Sequence, residues 1–456
     1  MPSLDTLYPP LDPQTRSTRL LKFLPQDNDT IRCTLTTHTI DDPPPFIGLS
    51  YVWGPPSPSY DILVNNEPFQ VRENLWHALR RLVQIANNDN HSILPPRNSR
   101  IRVPQYYWID AICINQEDAF ERGFQVDLMK DIFSTATFVM AWLGESEDDV
   151  PALFEYLQDL KHTPRRNRNE FLRNAKKPFS FKDAQWLVSR PYWSRIWIVQ
   201  EFTLARELYI LCGSDTLSWP ALQQLRPFGM SNRTNLGFKH FSKQENHYSI
   251  RKHVNSCTEL SNLRRSWQTQ SNQPSFTDGN PESGARPTLT RLLAFCKDYQ
   301  CTDPRDRVYG LLGLTDTGGK DCISADYTIS PFELYHRVIF HLQQNGRAAS
   351  EVFRSRLAEG LQIVHEDGLS TSTFIYETVG SRTVRRLLTS GSDVWREQLL
   401  KELEDNLGFK VTESCPERLD LYERIISHYR DFPSEQDPAT WATFERAIKL
   451  LQTGKD

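Results

Sequence analysis

The chain has 456 residues, of which 38% are hydrophobic and 24% charged, and carries a formal net charge of −4. That length exceeds one typical core and predicts two domains, or one domain with a large helical extension. The slightly acidic balance lacks the basic excess of general nucleic-acid or membrane-surface binders, so neither is an expected partner.

No apolar run reaches transmembrane length. The opening MPSLDTLYPPLDPQTRS has neither a charged n-region nor an apolar h-region, so the expectation is a cytoplasmic protein. Eight cysteines (33, 113, 212, 257, 296, 301, 322, 415) form no CxxC pair and no Cys/His grouping at zinc spacing, which predicts reduced thiols and no metal site. Cys113 and Cys212 fall in apolar strand-like runs, where cysteine acts as a small hydrophobe. A catalytic thiol at Cys113 lacks an adjacent histidine base.

Residues 1–17 read as a flexible lead-in. Short strands are expected at Leu20–Leu24 and Ile31–Leu35, followed by the break Pro43-Pro44-Pro45. The run Phe46–Trp53 is β-rich and ends at Gly54-Pro55-Pro56, the pattern of a buried strand with a loop after it. Asp61–Val71 reads as a hairpin turning at Asn65-Asn66, since asparagine tolerates positive φ. Helix 72–86 follows.

A second buried strand is expected over Tyr106–Ile112, with Asn115 capping a helix from Glu117 to about Ser134. A third strand, Thr137–Leu143, closes at Gly144, and Asp148–Leu160 reads as helical. A helix around Glu201 capped by Ser194 and a fourth strand, Glu207–Cys212, come next. Strands alternating with helices imply βαβ units and a parallel sheet covered on both faces. Ligands of such sheets bind beyond the carboxyl ends of the strands, which sets Trp53-Gly54, Asp110 and Gly144 along one rim.

From about residue 216 the alternation fades. Residues 216–287 read as an irregular connection, with Ser231–Pro287 rich in Ser, Asn, Arg and Gln. Helices are then expected at Leu289–Cys296, Asp303–Gly313, Phe332–Leu342, Val394–Leu407 and Ala439–Leu451. The organisation is a flexible 1–17, an α/β domain over 18–215, the connection 216–287 and a mainly α-helical region 288–456.

Glu201 is the odd residue in this pattern. Its helical neighbours three and four positions away are Trp197, Ile198, Leu204 and Ala205, with no cation among them. A desolvated, unpaired glutamate has a raised pKa, and such groups collect in active sites.

Four ordered stretches then resemble the fungal heterokaryon incompatibility (HET) domain. They are Leu49-Ser-Tyr-Val-Trp-Gly54, Trp108-Ile-Asp-Ala-Ile-Cys-Ile-Asn-Gln116 with Glu121-Arg122, Ala141-Trp-Leu-Gly144, and Arg195-Ile-Trp-Ile-Val-Gln-Glu201. Cys301–Leu314, with Asp326-Tyr327, resembles a segment that often follows this domain. The HET domain in turn is similar to Toll/interleukin-1 receptor (TIR) domains, through Leu49–Gly54, Trp108–Asp110, Glu121–Gly123 and the four-residue spacing of Trp197 and Glu201. Ile198 stands where the TIR pattern has cysteine.

That resemblance implies a TIR/flavodoxin-like fold and puts the cleavage of nicotinamide from NAD on Glu201. NAD is then a substrate, with no prosthetic group. Asp110 could hold a ribose hydroxyl or cap its loop. Ser50, Tyr51, Trp53 and Gly54 form a nucleotide shelf or aromatic core packing, and Trp197 stacks on nicotinamide or walls off water. Asn115 is a capping residue or a ligand contact, while Gln116 and Arg122 are polar groups near the same rim.

The bland reading of Glu201 is a bond to a backbone amide or to Arg195 or Arg122. The basic stretch 165–177 reads as a solvated insertion or a contact for pyrophosphate or an acidic partner. The expected function is a NAD glycohydrolase of fungal non-self recognition and cell death, activated by homo-oligomerisation and linked to an incompatibility partner protein. The alternative is a non-enzymatic assembly module that recruits a downstream effector.

Overall fold

The computed structural model describes residues 7–25, 30–87, 104–146, 150–168, 170–171, 186–225, 260–269, 287–315, 323–344 and 350–362. The expected helices Val394–Leu407 and Ala439–Leu451, most of the connection 216–287 and part of the basic stretch 165–177 lie outside them. The chain divides into two compact units, 1–319 with 324–328, and 320–323 with 329–456.

The first unit is built on a nine-stranded sheet. Its strands are β1 (Ser17–Phe23), β2 (Arg32–Thr39), β3 (Phe46–Tyr51), β4 (Ser59–Val64), β5 (Glu67–Arg72), β6 (Tyr106–Trp108), β7 (Phe138–Trp142), β8 (Leu208–Cys212) and β9 (Asp215–Ser218), in the order β5-β4-β2-β1-β6-β3-β7-β8-β9. The four central strands β6, β3, β7 and β8 are mutually parallel. β3, β7 and β8 are buried at every residue, as a strand covered on both faces must be.

The α/β class holds, but the sheet is mixed: β1 is antiparallel to β2 and β6, and β9 is antiparallel to β8. β1 meets β6 through Leu21 and Tyr107, far apart in sequence, so local hydrophobic pattern does not carry that strand's direction. The expected hairpin forms, with Asn65 and Asn66 at φ +52° and +67°.

The principal helices of this unit are α1 (Glu73–Asn87), α2 (Ala119–Thr135), α3 (Val150–His162), α4 (Ile198–Leu204), α5 (Leu289–Phe295) and α6 (Asp306–Leu312). Three local expectations are corrected. The strand over Tyr106–Ile112 stops at Trp108, because Asp110–Cys113 coils into one helical turn. Asp118 caps α2 by accepting from the Phe120 and Glu121 amides, three residues after the expected Asn115. Ser194 does not cap the Glu201 helix: it ends a 3-10 turn, Pro191–Ser194, and donates to the Pro191 carbonyl at 2.8 Å.

After that turn Arg195 is extended and bridges Gln300. The Ile196 amide donates to the Gln300 carbonyl at 2.9 Å. All seven residues of α4 are buried, so this short helix is held by packing rather than by its own length. A buried ion pair ties β1 to α2. Arg19 meets both carboxylate oxygens of Glu121 at 2.5 and 2.9 Å, and the Asn115 amide donates to the same carboxylate at 2.6 Å.

The described part of the second unit contains α7 (Pro331–Gln344) and α8 (Glu351–Gly360), the latter capped by Ser350. Leu334, Val338, Ile339 and Leu342 recur at helical spacing on α7 and are buried. No helix among the described residues is long and apolar enough to cross a membrane.

Candidate functional site

Numbered in chain order, the four parallel strands run 2-1-3-4, the start of a flavodoxin-like order, which reverses between β3 and β7. Beyond the carboxyl ends of those two strands the chain turns at Gly54 (φ +72°) and Gly144 (φ +102°), conformations that a side chain at Cβ disfavours. Asn74 at the start of α1 joins the ends, donating to the Val52 carbonyl at 2.6 Å and accepting from the Trp142 indole at 2.9 Å. Arg190 donates to the Leu143 and Glu145 carbonyls, each at 2.9 Å. A Cβ on Gly144 would meet the movable Arg190 guanidinium at 2.5 Å, and it is the φ of +102° that makes any other residue strained there.

Glu201 projects from the first turn of α4 and is 3% exposed. Its carboxylate accepts a short hydrogen bond from Ser50 on β3, and Ser50 also shares one of 2.8 Å with the Tyr192 hydroxyl. Arg195 approaches the carboxylate at 3.7 Å and donates to the Tyr51 carbonyl. Burial raises the Glu201 pKa to about 7; Arg195 and the Ser50 bond oppose the rise, and Asp110 adds to it.

Asp110 collects the expected shelf around itself. The Trp53 indole donates to its carboxylate at 2.8 Å, and the buried Tyr51 hydroxyl lies against it. Burial, reinforced by Asp110, holds that phenol well above its ordinary pKa. The Gln116 amide donates to the Asp110 carbonyl at 2.9 Å. Ser50, Tyr51, Trp53, Gly54, Asp110, Gln116 and Glu201 therefore share the carboxyl end of the sheet.

Asn115 sits apart from Glu201, accepting from the Glu117 amide at 3.2 Å as a loop residue. Trp197 and Arg122 belong to a second cluster. The Trp197 indole donates to Asp306 at 3.1 Å, and Tyr327 donates to the other oxygen of that carboxylate at 2.7 Å. The Arg122 guanidinium lies 3.8 Å from the centroid of the Tyr327 ring. Burial raises the Asp306 pKa to about 6, against the two hydrogen bonds. Next to this cluster Gly123 has no room for a Cβ, because the Ala325 carbonyl lies against it.

Tyr192, Asn74 and Arg190 were not expected at the site. Tyr192 stands in the run that leads to Glu201, but its spacing gives no sign of the Ser50 contact. Asn74 and Arg190 are single polar residues in unremarkable settings. Among the described residues no group of three His, Cys, Asp or Glu side chains could hold a metal ion.

A mixed α/β sheet with a flavodoxin-like parallel centre and a buried carboxylate at its carboxyl end defines the class of the domain. Residues 46–201 match the family described as heterokaryon incompatibility protein (HET). It is 28% identical over 359 residues to "Heterokaryon incompatibility protein 6, OR allele" of Neurospora crassa, a match covering 70% of this chain and 50% of the relative. The chain thus matches about half the length of that curated relative. No solved structure matches it.

Proposed function

We propose that this protein acts in heterokaryon incompatibility as a TIR-like NAD glycohydrolase, with Glu201 as its catalytic carboxylate and self-association as its trigger for cell death. The observation that carries the reading is the Glu201 carboxylate, buried and held by Ser50 at the carboxyl end of β3. The incompatibility role is supported by the named relative and the HET match, and the NAD chemistry by the resemblance to TIR domains.

Nicotinamide leaves the ribose as a neutral group, so bond cleavage needs no general acid. The need is to stabilise positive charge developing at C1′, which a fixed carboxylate in a low-dielectric setting does well. Water then attacks C1′ and yields its proton to Glu201, giving ADP-ribose and nicotinamide. Ser50 fixes the carboxylate, Asp110 is the partner for a ribose hydroxyl, and Trp53 supplies an aromatic wall. Association between copies completes the site by exposing Glu201 to the nucleotide.

Purified protein at high concentration is expected to consume NAD and release nicotinamide, and Glu201→Gln to stop the reaction with the fold intact. Equal inertness of both proteins under conditions that force assembly would overturn the enzymatic reading.

The contacts of Arg195, Ser50 and Tyr192 favour a second reading, in which Glu201 is an internal tie and the domain is a non-enzymatic assembly module. Undiminished cell killing by Glu201→Gln would select it.

A further inference from the structure

A cavity of about 360 Å³ lies at the opposite ends of the strands from Gly54 and Gly144, where Leu208 opens β8. This is within the size range of small-molecule sites. Helix 260–269 covers one side of it. Among the described residues, four cationic side chains, Lys161, Arg206, Arg264 and Arg265, line it against one carboxylate, that of Glu207. Glu207 is already engaged, accepting from the Tyr209 hydroxyl at 3.1 Å. Trp219 forms an aromatic wall.

Arg264 is the informative residue. It is 5% exposed, and no carboxylate among the described residues lies within ion-pair distance of it. Its guanidinium donates instead to the carbonyls of Phe202 at 2.7 Å and Arg206 at 3.0 Å. The Phe202 carbonyl belongs to the last turn of α4, where a cation complements the last carbonyls and the negative pole of the helix, and Arg206 follows two residues after the helix ends. Burial without an acid lowers the Arg264 pKa to about 10. Two dipolar carbonyls offset only part of the cost of a buried charge, and the cavity beside them adds three further cations.

We propose that this cavity binds a small phosphorylated anion, and that the bound anion stabilises α4 through Arg264. Phosphate suits the lining because arginine forks match its oxygens and lysine supplies a point charge. The planar wall of Trp219 accommodates a base or sugar attached to the phosphate. The inference stands apart from catalysis, since Glu201 lies on α4 but contributes nothing to the cavity lining.

The test is calorimetric titration of the full chain, at low ionic strength, with inorganic pyrophosphate and separately with ADP. Wild type is expected to bind at least one probe with a Kd below about 1 mM. Lys161→Ala combined with Arg265→Ala should weaken that binding at least tenfold, with the unliganded melting temperature unchanged. Tighter binding of ADP than of pyrophosphate assigns part of the affinity to the aromatic wall, and equal binding assigns it to phosphate alone. Arg265 is exposed, so Arg265→Gln serves if the double variant fails to fold. The bound probe should also slow amide exchange across 198–204. Binding of neither probe below about 1 mM, or equal affinity in wild type and variant, overturns the site. Unchanged exchange in α4 overturns the coupling.

Discussion

Ser50 on β3 donates a hydrogen bond to Glu201 on α4, joining residues 151 apart in sequence. The bond favours the charged carboxylate and so opposes the burial that lifts its pKa to about 7. Ser50→Ala should therefore raise that pKa further. A hydrogen bond to a charged group is worth roughly 1.5–3 kcal/mol, equivalent to about one to two pH units. The alkaline shift should appear in the acid limb of any NAD cleavage, or in a direct titration of the carboxyl by NMR.

The same pKa sets a stability prediction. Glu201 binds its proton more tightly in the folded chain than in the unfolded one, whose value is about 4.5. The associated stabilisation is complete below pH 4.5 and is lost as pH rises through about 7. The difference amounts to about 3 kcal/mol. Asp127 and Asp306, both raised to about 6 by burial, act in the same direction. Glu201→Gln should thus melt higher than wild type at pH 8 and show little change at pH 5. A variant less stable than wild type at pH 8 would make the Arg195 contact the dominant effect.

The Arg19 and Glu121 pair is almost fully buried, with side-chain exposures of 1% and 7%. Removing one partner strands the other charge in the core. Arg19→Met and Glu121→Ala should each cost roughly 3–5 kcal/mol in denaturant unfolding. The double variant should cost less than the sum of the two.

Asp306 holds both Trp197 and Tyr327. Asp306→Ala leaves an indole N–H and a phenol without their partner, a loss of about 1–3 kcal/mol for each group left buried. Chemical denaturation should show that loss, and Asp306→Asn should recover part of it.

Phe120 is 80% exposed at the start of α2, an unusual position for a large aromatic. If self-association uses this helix, Phe120→Glu should suppress concentration-dependent assembly in sedimentation velocity while leaving the unfolding free energy within about 0.5 kcal/mol of wild type.

Much of the fold was legible locally. The runs that become β3, β7 and β8 are short, apolar and bounded by turn residues, and the Asn65-Asn66 hairpin is specified by two residues that accept positive φ. Boundaries failed where competing local bonds intervened. Asp110 starts a helical turn that shortens β6, and Asp118 rather than Asn115 satisfies the first amides of α2. The antiparallel placement of β1 beside β6 depends on pairing with a distant partner, which no window of sequence contains, whereas β9 folds back on β8 directly after Gly213-Ser214.

The sequence by itself determined that Glu201 would lack a cation on its own helix and that Trp53, Gly54 and Asp110 would gather at strand ends, because helical and strand periodicity fix which neighbours a residue can meet. Only the tertiary structure decided that Ser50 and Arg195 meet the carboxylate with Tyr192 bonded to Ser50, that Trp197 turns to Asp306, and that Arg264 caps the carboxyl end of α4. Those contacts join segments up to 151 residues apart, and long-range packing, rather than local propensity, selects which side chains are brought together in a desolvated space.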